Sequence, residues 1–175
     1  MRIVKTIILA VLILPSLALA AFPSVHRDHT VLKLEQIKSD LATALYLVDY
    51  TEPMLSTPEQ IESLNNTRLY LQIVESGVDY SLAVLSYGGA IPDDLQMLRG
   101  YLSSPHKAPN GSGTASMQQL AEGATIQAAL LNGQFTNDPL DFTRLIAFFA
   151  GEAWLGIDLA VWHITDAILD ELNVL

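Results

Sequence analysis

The chain of 175 residues contains no cysteine, which excludes disulfides, thiol catalysis and cysteine-ligated metal sites. This absence matters because the first twenty residues have the form of a signal peptide. Arg2 and Lys5 precede an apolar run over residues 7–14, and residues 18–20, Ala-Leu-Ala, have the small-x-small pattern of a cleavage site. We therefore expect a secreted, extracellular protein that begins near Ala21 and folds without a disulfide.

Basic residues are also scarce. Nine Lys and Arg face nineteen Asp and Glu, which gives a formal net charge of −10 at pH 7. The basic residues beyond the predicted signal peptide are scattered singly, whereas nucleic-acid binding needs clustered cations. We expect no nucleic-acid partner, and an anionic membrane surface is disfavoured for the same reason. Solubility is the simplest interpretation of the acidity.

After the signal peptide, no long run without charges follows. The most apolar stretch, residues 140–162, contains Asp141, Arg144, Glu152 and Asp158, so we expect a core helix and no transmembrane anchor. The last six residues lack the hydrophobic tail of a lipid-anchor signal. Residues 21–175 have a length that suits one domain with a sizeable core.

The sequence has no strand pattern, and helical periodicity predicts an all-α fold. We expect a loosely ordered start over residues 21–30, then helices over 31–48, from Pro58 to the glycines at 88–89, over 92–102, over 114–131 and over 140–172. Thr57, Pro58 and Gln60 predict a capping box with proline in the first turn. The Pro/Gly/Ser-rich stretch 103–114 predicts a loop. The expected architecture is a single up-and-down bundle of four to five helices around the last one.

The last helix should be central, because two adjacent faces of it are apolar. Gly151 and Gly156 inside it permit a bend, close packing or a break. One face carries Leu145, Phe148, Leu155, Leu159, Trp162 and Leu169, and the next carries Phe142, Ile146, Phe149, Ala153, Ile157, Ile164 and Ile168.

This helix has more aromatic side chains than a stripe that faces one neighbour needs. Two explanations are open: a well-filled core, or a cavity for an apolar ligand. For the second, we expect the ligand between the bundle helices, against Phe148, Phe149, Trp154 and Trp162, with Leu41 and Leu45 of the first helix as the opposite wall.

Catalytic signatures are missing. No serine-hydrolase elbow, phosphate-binding glycine loop or Glu-x-x-His motif occurs, so we expect a protein that is not an enzyme and has no cofactor. His26, Asp28 and His29 could hold a divalent metal loosely, but a mobile terminal segment explains them more simply and we expect no metal site. His163 has Asp166 three residues on, a spacing at which a carboxylate orients an imidazole; a core or boundary histidine is the simpler interpretation.

Glu152 and Asp158 interrupt the apolar faces of the last helix. A carboxylate inside a bundle can act as a ligand or general base, although here we expect Glu152 to reach solvent or an arginine such as Arg68 or Arg144. Two sequons place candidate N-glycosylation sites at Asn65 and Asn110, the second within the predicted loop.

The chain resembles a group of secreted fungal proteins, the hydrophobic surface binding protein A family and the related cell wall galactomannoproteins. The resemblance rests on the Ala-x-Ala end of the signal peptide, a first helix like residues 37–49, a long second helix after a short loop, the lack of cysteine and a final helix that fills the bundle. It implies an extracellular binder of hydrophobic surfaces, or of fatty acids and other lipids held between helices.

Three hypotheses of function follow. The first is a secreted binder of an apolar ligand or hydrophobic surface, as the resemblance implies. The second is an extracellular cell-wall or partner-protein interaction protein without a small-molecule ligand. The third, ranked last, is a small enzyme that uses His163, Asp166 and Glu152.

Overall fold

The structure, a computed structural model, describes the backbone of residues 2–86, 92–109, 113–135 and 141–173, and the side chains of 27–86, 95–109, 113–135 and 142–169. Five α-helices make up nearly all of it. They are α1 (Arg2–Thr51), α2 (Pro58–Ser86), α3 (Pro92–Ser103), α4 (Met117–Gly133) and α5 (Asp141–Asn173). A 3₁₀ turn, Glu52–Met54, follows α1, and two short strands, β1 (His106–Lys107) and β2 (Thr114–Ala115), precede α4. The predicted all-α class is confirmed.

The four long helices form an up-and-down bundle in which each runs antiparallel to its neighbours. Helix α1 packs against α2 and α5, and α4 packs against the same two helices, so α2 and α5 lie on a diagonal. The short helix α3 packs mainly against α5. As predicted, the bundle is built around the last helix, because α5 packs against α1, α3 and α4; one of its sides is nevertheless open to solvent.

Helix α2 starts as its sequence predicts. The Thr57 hydroxyl accepts a hydrogen bond from the backbone N–H of Gln60, and the Gln60 side chain accepts one from the Thr57 N–H, both at 3.2 Å. These two bonds satisfy N–H groups that the first turn of a helix leaves without partners. A second capping box, Ser116 with Gln119, opens α4. This box explains why α4 begins at Met117 and not at Thr114.

The core is built from one stripe of each helix. Helical spacing predicts an apolar stripe on α4, and it is buried throughout: Met117, Leu120, Ala124, Ala128 and Leu131. The stripe predicted on α2 is mostly buried: Ile61, Leu64, Leu71, Val74, Val78, Leu82 and Leu85. Ile61 is an exception, since it is 45% exposed on the outside of α2. The fully buried large side chains are Leu34, Ile37, Leu41, Leu64, Leu71, Leu98, Leu102, Leu120, Leu131, Ile146, Ile157 and Ile164.

The predicted loose start over residues 21–30 is wrong, because the backbone there belongs to α1. Three contacts hold its end against the bundle. Thr30 is fully buried, the Arg27 guanidinium donates to the Leu85 carbonyl at the end of α2, and the His29 ring meets the ring of His163.

The loop at 103–114 contains a short antiparallel ladder that the sequence did not predict. His106 pairs with Ala115 and Lys107 with Thr114. Gly113 has φ +104°, which favours glycine, and its carbonyl accepts a hydrogen bond from the Ala108 N–H. Two residue pairs are too few for periodicity to reveal. The predicted turns at 88–91 and at 137–139 lie outside the described residues.

Candidate functional site

The outer face of α5 is the candidate site. It consists of six large apolar side chains that are each 41–60% exposed: Leu145, Phe148, Leu155, Leu159, Trp162 and Leu169. A half-exposed side chain of this size presents on the order of 100 Å². The face therefore approaches ~600 Å², the upper end of the range for the largest apolar patch on a monomeric protein.

The opposite side of α5 is buried and carries smaller residues. Ala150, Ala153 and Ala160 are fully buried beside isoleucines of the same face. At Gly156 a Cβ atom would lie 2.5 Å from Cγ1 of Ile37, so α1 and α5 approach closely because this residue has no side chain. Gly156 thus serves close packing, and α5 continues through Gly151 and Gly156 without a break.

The six predicted ligand residues do not gather around one interior space. Leu41 is fully buried, Leu45, Phe149 and Trp154 are half-buried against the core, and Phe148 and Trp162 lie on the outer face with 56% and 60% of their surfaces exposed. The physical reason is the helical period, because neighbouring positions such as 148 and 149 point about 100° apart. Leu41 is in the core while Phe148 and Trp162 face solvent, and the ligand-binding role of the six residues stays a prediction.

Aromatic contacts mark the border between the outer face and α1. The Phe142 ring contacts Tyr50, with centroids 4.9 Å apart, and Tyr50 stacks on Tyr46. At the other end, the His163 ring lies 5.6 Å from Trp162 and 5.9 Å from His29. These contacts join exposed rings of α1 to the half-buried rings of Phe142 and His163 on α5, and His163 in turn contacts Trp162 of the outer face.

His163 is half-buried, which fits the boundary histidine that the sequence favours. Its spacing from Asp166 produces no hydrogen bond between the two described side chains. Among the described residues, no group of three His, Asp or Glu side chains is placed to hold a metal ion. The side chain of His26 lies outside the described residues.

One carboxylate is buried beside this site. Asp40 of α1 is 8% exposed and accepts a hydrogen bond from the Gln36 amide at 3.0 Å. Burial raises the pKa of Asp40, and the negative charge of Glu152 on α5 raises it further, against the opposing effects of Gln36 and Lys33. Glu152 itself is exposed, as predicted.

The arginine suggested for Glu152 has other partners. Arg68 reaches Asp49 at 3.0 Å and Glu52 at 2.7 Å, which ties α2 to the end of α1. Asp158 accepts a hydrogen bond from Gln118 of α4 at 3.1 Å. Glu152 and Asp158 of α5 are thus exposed, and Asp158 is also tied to α4.

The structure has a further depression, away from the outer face of α5, within the described residues. A depression of about 500 Å³ lies between the described start of α1 and the end of α2. Its lining includes Arg27, Glu35, Leu82 and Ser86 and none of the predicted ligand residues. Asn65 is exposed within α2, where its side chain accepts a hydrogen bond from Arg68, and Asn110 lies outside the described residues.

In the described part of the chain, one segment is long and apolar enough to cross a membrane by length and composition, the 28 residues Phe142–Leu169 of α5. The core helix of a soluble protein passes the same test. Glu152 and Asp158 are exposed within this segment, and a charge exposed at the bilayer centre is costly.

Sequence reasoning singled out the outer face as apolar but assigned only Phe148 and Trp162 of it to binding. The same exposed face also contains four leucines: Leu145, Leu155, Leu159 and Leu169.

Comparison with known proteins gives no matching family model, curated protein or solved structure.

Proposed function

We propose that this protein is a secreted, non-enzymatic binder of hydrophobic surfaces and lipid assemblies, and that the outer face of α5 is its binding surface. The observation that carries the proposal is that α5 is apolar on two sides: isoleucines and alanines are buried on the inner side, and six further large apolar side chains meet solvent on the outer face. A well-folded monomer gains nothing from exposing such residues, since each buried methylene contributes about 0.8 kcal/mol. The signal-peptide pattern of residues 2–20 supports an extracellular setting.

The location of the face changes the expected mode of binding. A fatty acid or other apolar ligand held between helices would need an interior wall, whereas the outer face is convex and open. Contact with an extended apolar surface, or with acyl chains at a lipid interface, fits it better. The interaction-protein hypothesis remains the second candidate, because a helix ridge of this kind also suits another helix.

Adsorption can be measured with a built-in reporter. The chain has two tryptophans, so Trp154→Phe leaves Trp162 on the outer face as the only source of tryptophan fluorescence. We expect its emission to shift to the blue on phosphatidylcholine vesicles or octyl-coated silica beads, and the protein to be depleted from solution by the beads.

A matched pair of variants identifies the surface responsible. Leu155→Ser with Leu159→Ser removes two side chains of the outer face that are 51% and 44% exposed. Ile61→Ser with Leu69→Ser removes two of nearly equal exposure, 45% and 44%, from α2 on the opposite corner. We expect the first pair to weaken adsorption about tenfold or more, which corresponds to about 1.4 kcal/mol, and the second to leave it nearly unchanged. Equal effects of the two pairs would overturn the assignment of the face.

A further inference from the structure

The outer face of α5 has the spacing of a coiled-coil seam. Its six residues, together with Glu152 and Asp166, are separated alternately by three and four positions over more than three heptads. The four d positions are apolar, and the a positions alternate between leucine and an acid. The a series is Leu145, Glu152, Leu159 and Asp166, and the d series is Phe148, Leu155, Trp162 and Leu169.

This seam fits a second helix in length and shape. From Leu145 to Leu169 it spans about 36 Å at 1.5 Å per residue. A seven-residue repeat drifts by about 20° per heptad on a straight helix, so a partner helix would follow it at a crossing angle of about 20°. Helix α5 is already held from behind by α1 and α4, and its outer side is open along this whole length.

The acids decide the orientation of a second copy. In a parallel pair, a positions face a positions, which would place Glu152 against Glu152 and Asp166 against Asp166 inside the seam. In an antiparallel pair, a positions face d positions. With Leu155 opposite Leu159 of the second copy, Glu152 faces Trp162 and Asp166 faces Phe148, so no two acids of the seam meet.

This antiparallel register also pairs the remaining apolar residues. Leu145 faces Leu169 of the second copy, and the two leucine layers at the centre are related by the two-fold axis, as an isologous dimer requires. The indole N–H of Trp162 can donate a hydrogen bond to the Glu152 carboxylate of the second copy. The seam is therefore complementary to itself in one orientation and repulsive in the other.

We propose that in solution the outer face is covered by a second copy of this chain, in an antiparallel α5–α5 dimer centred between Leu155 and Leu159. The apolar area of ~600 Å² per copy approaches the ~800 Å² per partner of a standard stable interface. A hydrophobic surface competes with the second copy for this face, but the dimer itself does not depend on the proposed adsorption.

Charge sets the salt dependence of this dimer. Each copy carries a net charge of −10, and Asp158 on the flank of the seam comes near its own counterpart at the two-fold axis. Added NaCl screens this repulsion, so association strengthens as salt rises. A cationic partner helix in place of the second copy would show the opposite dependence.

The register can be tested with variants that place opposite charges at the centre of the seam. Sedimentation velocity measures the oligomeric state of the purified protein, in the form that the expression host secretes. The single variants Leu155→Glu and Leu159→Lys each bury a charge against leucine in the two central layers. We expect both to be monomers at concentrations where the wild type is a dimer. Concentrations from about 1 to about 100 µM bracket the micromolar Kd that such an interface gives. An equimolar mixture of the two variants should recover the dimer, because each glutamate then faces a lysine.

The double variant Leu155→Glu, Leu159→Lys keeps the same pairing across the two-fold axis and should also be a dimer. A parallel pair would instead oppose glutamate to glutamate. A wild type that stays monomeric at about 100 µM, or a mixture that stays monomeric while both variants keep the wild-type circular dichroism, overturns the proposal. The double variant also separates this proposal from adsorption, since it restores the dimer without restoring an apolar face for beads or vesicles.

Discussion

The inner and outer faces of α5 are both apolar, yet alanine and glycine lie among the large side chains of the inner face only. The inner face carries alanine, glycine and isoleucine and lets α1 approach to the van der Waals limit at Gly156. The outer face carries leucine, phenylalanine and tryptophan, which are 41–60% exposed. Alanine and glycine therefore mark where a neighbouring helix comes close, while hydropathy alone records only that both faces are apolar.

The largest effect should come from truncating the inner face. Ile157→Ala removes a fully buried side chain and should lower the free energy of unfolding by about 2–5 kcal/mol. Leu155→Ala, two residues away on the outer face, should change it by about 0.5 kcal/mol or less at concentrations where the protein is monomeric. Urea unfolding at low protein concentration measures both. Equal losses would mean that the outer face belongs to the core.

Enlarging the inner face should give the next largest effect. Gly156→Val places atoms where Ile37 already lies and should cost about 1–3 kcal/mol, unless α1 and α5 separate. Gly100→Ala on α3 is the control, because a Cβ there meets nothing within 4 Å. It should stabilise the protein by about 0.4–1 kcal/mol by restricting the unfolded chain. A lower Tm for Gly156→Val and a higher Tm for Gly100→Ala, measured by thermal unfolding, would confirm the close approach of α1 and α5.

The two tryptophans should report the two environments separately. With Trp154→Phe, emission from Trp162 should be readily quenched by acrylamide in dilute solution, and quenching should fall as protein concentration rises. With Trp162→Phe, emission from half-buried Trp154 should be quenched less at every concentration. A concentration dependence in the second variant, or its absence in the first, would argue against a dimer through the outer face.

The smallest effect concerns Asp40, whose buried carboxylate lies at the border between the two faces. Its pKa is raised above the ordinary 3.8 by burial and by Glu152, so the native state holds a proton that the unfolded state releases. Stability therefore falls as pH rises through the window between the unfolded and the folded pKa. Asp40→Asn should give a small gain in Tm at pH 7 that disappears at low pH, and Glu152→Gln a smaller gain of the same sign.

Local signals in the sequence predicted local structure well. The capping box at Thr57 and Gln60, the start of α3 at Pro92 and the buried stripe of α4 need only residues within one or two turns, and the structure confirms them. The fold class followed from the same periodicity. The strand pair at 106–115 escaped notice because two residues per strand carry no period.

The placement of the outer face could not be predicted in this way. Periodicity groups Leu145 with Trp162 on one side of α5, but which side has neighbours depends on how many helices pack around it. The same limit explains Ile61, which has the spacing of a core residue and lies outside. The three-and-four spacing through Glu152 and Asp166 was visible in the sequence and is the signal that could have identified the seam.

The position of α5 along the chain has a consequence for biosynthesis. During translation, α1, α3 and α4 emerge before the 33 residues of α5, and their sides that contact α5 stay uncovered until it follows. At about 5–20 residues per second this interval lasts several seconds. The apolar sides of α1, α3 and α4 that α5 covers are therefore exposed to solvent or to chaperones for the whole of this interval.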